Sequence, residues 1–384
     1  MSRTQTAAHA AHTGHSRTAE FVLSRPHGTV ETRGVRNRFD DATAAAAALR
    51  SGDVSAVVGA LPFSRDAPCS LVAPEHLLRT TGTWSPTRAP APVPAFSVSG
   101  ANGTEHLGRV RTALGVLRDR KETLRKVVLA RTLTLTADDE VDPSSLLAGL
   151  IAGNPAGNGY LVDLSAAGGS WTGRTLVGSS PEVLVRTQGD VVTCHPLAGS
   201  APRHLDPNRD HAAGAALMDS AKDLREHAFV VDAVRRSLAP FCRTLNIPDE
   251  PTLTRTPQLW HLGTPIRGEL RNTDVGSLDL AMALHPTPAV CGTPTDLAYR
   301  TIDELEGDRG FYAGAVGWST ADGDGEWMVA IRCAVLGSDR RHVTAYAGGG
   351  IVAESDPDAE LRETDTKFGT VLSALKVTDQ TVTL

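Results

Sequence analysis

Lys126-Val-Val-Leu-Ala-Arg131 and the Thr-Leu-Thr-Leu-Thr that follows to Thr136 (KVVLARTLTLT, residues 126–136) decide how this chain is read. The run is apolar and β-branched, without Gly or Pro, and so reads as a strand. Its one anomaly is the charge at its head. Lys126 opens the otherwise apolar KVVLA, where a charge is normally excluded. It either snorkels to water from a strand end or is a partly desolvated amine, its pKa depressed enough to act as a base near neutrality.

Outward from that strand, Glu105 to Arg125 has helical periodicity, with Leu107, Val110, Leu114 and Leu117 on one face. Glu20 to Val72 alternates short β-like runs with an Ala-rich helical stretch from Asp41 to Leu49. The Pro- and Ser-rich segment from Ala73 to Gly103 reads as a connecting loop. Further strands are expected at Gly159–Leu164, Val183–Thr187, Val191–His195, Trp327–Val335 and His342–Tyr346. Two long helices stand out. Asp219–Leu238 carries Leu224, Val231, Val234 and Leu238. The last helix starts with Asp356 as N-cap and Pro357 in its first turn, and turns Leu361, Phe368, Leu372 and Leu375 inward. Many strands, few helices and no βαβ alternation point to an α+β fold with large antiparallel sheets.

Bulk properties exclude several classes. The 384 residues are 41% hydrophobic and 21% charged, with net charge −6, so nothing suggests a nucleic-acid or anionic-membrane partner. Any anionic ligand must be held by local cations. Five scattered cysteines with no CxxC pair fit reduced thiols and a cytoplasmic location. No apolar run approaches a membrane span of about 20 residues. Residues 1–19 read as a disordered polar tail, despite His9, His12 and His15. Residues 20–104 form an N-terminal part, and 105–384 a catalytic domain compact with it.

The long helices carry paired carboxylates at i, i+3, Asp223 with Glu226 and Glu360 with Glu363. Four carboxylates converging from two helices would need a cation between them, and hard oxygen ligands suit Mg²⁺. The plainer alternative is two solvated surface pairs, with Glu363 and Lys367 forming an i, i+4 salt bridge. Glu182 sits in a turn, GSSPE, before a strand. His261 lies among apolar residues, as a core histidine would. Arg332 interrupts an apolar strand, where a buried guanidinium needs an anionic partner from protein or ligand. No GxGxxG, P-loop, HExxH, GxSxG or zinc spacing occurs.

Taken in order, these segments match one family. KVVLAR (126–131), GSSPEVLVR (178–186), HPLAGSAPR (195–203) and KDLREH (222–227) resemble the chorismate-utilising enzymes. So do LWHLGTPIRGEL (259–270), LHPTPAVCGTP (284–294), DRGFYAGAVGW (308–318) and YAGGGIVAESDPDAELRETDTKF (346–368). The resemblance runs from about Glu105 to the C-terminus and implies antiparallel sheets packed as a sandwich with helices outside. Within the family the chain is most similar to the isochorismate synthases. Lys126 stands where ammonia-using members typically have glutamine, Ala289 where salicylate synthases usually have threonine, and no glutaminase domain is fused.

The resemblance implies a monomeric enzyme that takes chorismate as its small-molecule substrate, without a glutaminase subunit, in siderophore-type metabolism. It implies Mg²⁺ held by Glu226 and Glu363, with Asp223 and Glu360 reaching it directly or through water. Tyr312, Arg332, Gly348 and Lys367 would hold the enolpyruvyl carboxylate, while Gly199, Ser200, His261 and Ala289 would surround the ring. Lys126 would be the base that activates water, and Glu182, starting protonated, the acid.

Overall fold

The structure, a computed structural model, describes residues 19–100, 103–119, 124–272 and 274–377. The expected tail, with His9, His12 and His15, lies outside them. The 126–136 run forms the strand Lys126–Ala137, antiparallel to His342–Ile351, with Val127 opposite Ile351 and Thr136 opposite His342. From that pair the ladder passes through Cys333–Leu336, Thr175–Gly178, Gly159–Asp163 and Phe21–Arg25 to Gly28–Phe39. It continues through Ser70–Thr80, Ala56–Leu61, Ala315–Thr320, Gly325–Val329 and Val183–Gln188 to Val191–His195. Among the described residues seventeen strands share this one sheet, and a separate sheet joins Leu197–Pro202, Leu259–Gly263 and Thr252–Arg255.

The large sheet doubles back on itself. Leu129 and Leu176 from one part of the ladder share a buried cluster with Leu184, Val316 and Trp327 from the other. Two apolar faces that pack together in this way make a sandwich. A second cluster lies under the outer helices. There Leu133, Leu135 and Val343 meet Leu146 and Leu150 of helix Pro143–Ala152, and Phe368 and Val371 of helix Pro357–Ala374. The fold is thus α+β, with helices outside antiparallel sheets. Among the described residues no helix is long and apolar enough to cross a membrane.

Some local expectations need correction. The 73–103 segment is not all loop, because Ser70–Thr80 and Phe96–Ser99 are strands at its two ends. Pro74 is tolerated because it lies at a break in register opposite Val35, where no regular ladder bond is required. The 327–335 run is two strands, Gly325–Val329 and Cys333–Leu336, split where Arg332 takes a left-handed φ of 53°. The 342–346 strand runs on through three glycines to Ile351, since pairing with Val127–Ala130 outweighs glycine's weak strand preference. Helix Gly103–Asp119 ends before the expected Arg125, and residues 120–123 lie outside the described set. In helix Ala221–Leu238, Val230 rather than Val231 is fully buried.

Phe368 joins the outer helix to the sheet and is fully buried, its ring beneath the Arg131 guanidinium. Phe368→Ala should cost about 3–5 kcal/mol of unfolding free energy in denaturant titration. Leu205→Ala, at a fully exposed position, should stay within about 0.5 kcal/mol of the parent.

Candidate active site

Strand His342–Ile351 has a strand neighbour on only one side over its last residues. The ladder to Cys333–Leu336 stops at Ala345, so the other edge of Tyr346–Ile351 is open to two helix starts. Helix Ala221–Leu238 is capped by Ser220, whose hydroxyl accepts from Asp223 N–H at 3.3 Å. Helix Pro357–Ala374 is capped by Asp356, which accepts from Ala359 N–H at 2.8 Å, with Pro357 in the first turn. These caps set the rotation of Asp223 and Glu226 on one helix and of Glu360 and Glu363 on the other. The positive ends of the helix dipoles also favour Asp223 and Glu360, which lie in the first turns.

The strand edge admits these carboxylates because it has no side chains. A Cβ at Gly350 would lie 2.1 Å from Glu226 Oε1 and 3.0 Å from Lys126 Cε. A Cβ at Gly349 would meet Glu360 Oε2 at 3.2 Å, and one at Gly348 would meet the Tyr312 hydroxyl at 2.7 Å. Gly349 and Gly350 are therefore a clearance for acid groups arriving from two helices, and Gly348 for the Tyr312 hydroxyl.

Each carboxylate has a protein partner. Lys126 Nζ lies 3.0 Å from Glu226 Oε1, and the lysine is fully buried rather than snorkelling. Lys222 Nζ donates to Glu360 at 2.9 Å. Lys367 Nζ donates to Glu363 at 2.5 Å and to the Gly348 carbonyl at 2.8 Å. The Ser220 hydroxyl donates to Asp223. The i, i+4 salt bridge between Glu363 and Lys367 is thus present inside the cluster. Burial would raise Glu363, but Lys367 beside it brings the carboxyl below its usual range. Burial, then the charge of Glu363, pushes Glu360 up to about 7 despite Lys222. Asp223 is also raised, by burial first and then by Glu226 and Glu363.

The donor set fits a hard divalent cation: carboxylate oxygens only, with Glu360 Oε2 buried and lacking a hydrogen bond of normal geometry. Among the described residues no group of three or more acids, histidines or cysteines is already gathered around one point. A cation would have to draw Glu226 and Glu363 off their lysines.

Glu226 and Glu363 line a partly open pocket with a cavity volume of about 80 Å³. Glu182, Gly199, Ser200, His261, Ala289, Tyr312, Arg332, Gly348 and Lys367 line the same pocket. Lys126 adjoins it behind Glu226 and Gly350. Asp223 and Glu360 stand behind the lining, Asp223 against Gly199 and Glu360 against Gly349. Gly199 has φ 79° at a bulge between Ala198 and Ser200, and a Cβ there would press on Asp223 at 3.0 Å.

Glu182 is buried, accepts from Leu197 N–H at 3.4 Å, and is pushed up to about 7 by burial. The Leu197 N–H and the charges of Lys126, Lys367 and Arg332 pull the other way. Such a carboxyl is substantially protonated near neutrality. His261 is held well below its usual range by burial, then by Arg332 and Lys367, so it is neutral, and its Nε2 has no protein partner. Arg332 is only 5% exposed and forms no ion pair with a described carboxylate. Burial brings it down to about 10 against the pull of Glu363, Tyr312 and Glu182, so it remains a cation with no direct ion pair.

Two contributors escaped the sequence reading. Tyr346 lines the pocket with its ring stacked on Tyr312 at 5.0 Å. Lys222 holds Glu360. Its place one residue before Asp223 was the available signal, but neighbours in sequence on a helix do not share a face.

A family model described as chorismate binding enzyme matches residues 84–376. A Mycobacterium tuberculosis protein provisionally named isochorismate synthase MenF is 52% identical over 93% of this chain and 96% of its own length. Isochorismate synthase DhbC of Bacillus subtilis is 42% identical over 93% and 94%. A Bacillus anthracis crystal structure, provisionally described as a 2,3-dihydroxybenzoate-specific isochorismate synthase DhbC, superposes with TM-score 0.85. It is 36% identical, and the match covers 94% of this chain and 97% of that one.

The unpaired state of Arg332 has a measurable consequence. Arg332→Met should leave the stability of the unliganded protein unchanged, or raise it by about 1 kcal/mol in denaturant titration, because a buried cation without a partner is costly. A loss of several kcal/mol would mean that the protein already satisfies the guanidinium.

Proposed function

The chain belongs to the chorismate-binding enzyme family, in its isochorismate synthase branch, and from that premise we propose that it isomerises chorismate to isochorismate. In this reading water adds at ring C2 while the C4 hydroxyl leaves. The observation that carries it is the pairing, around one pocket, of a buried lysine with a carboxyl raised to about 7. A base and an acid held in one site are what a concerted addition and departure need.

Chorismate carries two carboxylates. Arg332, Lys367 and the Tyr312 hydroxyl would take the enolpyruvyl carboxylate, and the guanidinium supplies a planar double donor. His261, neutral and with Nε2 free, would hydrogen-bond near the ring, beside Gly199, Ser200 and Ala289. Lys126 would accept a proton from the attacking water. An amine accepts a proton only when neutral, so its contact with Glu226 must loosen first. Glu182 would pass its proton to the departing C4 oxygen and end as a carboxylate beside Lys126 and Arg332, whose charges stabilise it.

Mg²⁺ is the cofactor we propose, held by Glu226 and Glu363, with Asp223 and Glu360 contributing directly or through water. When bound, it would offset the repulsion between these acids and the ring carboxylate. The relative described as 2,3-dihydroxybenzoate-specific supports a product that feeds 2,3-dihydroxybenzoate formation, and we propose a catechol siderophore or salicylate as the end of that route. The five cysteines are free and buried, which supports a reducing, cytoplasmic setting. We further propose a monomer working without a glutaminase subunit.

Purified protein given chorismate and Mg²⁺ should form isochorismate by chromatography, and EDTA should stop it. Pyruvate release would instead indicate salicylate formation, and an ammonium-dependent product would indicate amination. Lys126→Ala and Lys126→Arg should both lose about 10²–10⁴-fold in kcat. The arginine variant keeps a cation beside Glu226 but cannot serve as a base, so near-parental activity in it would overturn the base assignment. Glu182 must be protonated to act, so kcat should fall as pH rises through about 7. Glu182→Gln should lose about 10²–10⁴-fold and with it that alkaline limb.

A further inference from the structure

A second cavity lies directly behind Arg332. It has a cavity volume of about 110 Å³, between the C-terminal helix, the end of helix Pro143–Ala152 and the loop at 256–258. Pro181 and Arg332 line both this cavity and the active-site pocket, so the two spaces share a wall. Apart from Arg332 its lining is uncharged. Asn154, Ser179, Thr256, Gln258 and Thr370 offer hydrogen-bonding groups, and the buried Thr370 hydroxyl has no protein partner. Pro257 and Ser373, at its outer end, are exposed.

We propose that this cavity is the entry vestibule of the active site, a transit subsite for small hydroxylated dicarboxylates that delivers them to Arg332. The inference rests on the function proposed above and adds the route to it. An anion in this passage meets no carboxylate. The one charge in its lining is a buried guanidinium that forms no direct ion pair among the described residues, although Glu363 and Glu182 lie near enough to act on it, so the field draws the anion inward. Neutral amides and hydroxyls replace its water without holding it tightly. Arg332 is the one charged residue common to the linings of the two spaces, so an anion held on either side meets the same cation. Its left-handed φ places it at the break between Gly325–Val329 and Cys333–Leu336, where its carbonyl accepts from Ser179 N–H at 3.0 Å and anchors the backbone in the shared wall.

The test alters Ser373, which borders the vestibule but not the active-site pocket and is exposed enough to accept a larger group. Chorismate association is read by surface plasmon resonance on the immobilised full chain, alongside kcat/KM. Ser373→Trp should slow association and lower kcat/KM by at least about tenfold. Ser373→Asp should lower both, and Ser373→Lys raise both, with the differences shrinking at high salt. Melting temperatures equal to the parent's would show that the variants fold. Folded variants with parental association rates overturn the vestibule and leave the function standing. Failure of the parent chain to bind chorismate overturns the function itself.

Discussion

The structure depends on a repulsion. Two capped helices aim four carboxylates at the edge of one strand, and at Gly350 there is room for Glu226 only because no Cβ stands 2.1 Å from its oxygen. Left alone, acids gathered in a buried place would protonate or push the helices apart. Lys126, Lys222 and Lys367 limit that by supplying three positive charges from the strand and from the helices themselves. Four acids against three lysines leave the cluster short of one positive charge, which is felt at Glu360, pushed up to about 7, and its carboxylate oxygens are donors a divalent cation can claim. The strand, the glycines, the caps and the lysines answer the same electrostatic problem.

That arrangement divides the pocket by charge. On one side stand carboxylates already held by lysines. On another stand Arg332, unpaired, and His261, kept neutral by burial and by nearby cations. Glu182 lies between these influences and is the acid that burial alone dominates. A dianionic ring placed here would have one carboxylate drawn to Arg332 and the other to the cation proposed between the acids. Its reactive edge would then lie among groups that differ in proton affinity rather than in charge alone.

How much of this the sequence discloses depends on the range of each interaction. The helix starts at Asp356 and Ser220 are written in local caps, and the strand Lys126–Ala137 in its own composition. The i, i+3 acids could be seen as pairs, but not as one cluster, because convergence depends on where separate helices meet the sheet. Lys126 read locally as a snorkelling residue. Only the fold, which buries it against Glu226, removes that option. The family motifs supplied what spacing could not, placing Glu182, Arg332 and Gly348 in one site. Tyr346 and Lys222 stayed hidden because a stacking partner and a cross-helix ion pair leave no periodic trace. The break at Arg332 was missed for a related reason. An apolar run does not show that one of its residues is needed in a left-handed turn.

The central claim is that solvent water, deprotonated at Lys126, becomes the new hydroxyl. Running the reaction in H₂¹⁸O and analysing the isochorismate by mass spectrometry tests it directly. The account predicts one ¹⁸O in the product, located at the C2 hydroxyl. Isochorismate formed without label would mean that the original hydroxyl migrates within the molecule, and would contradict it.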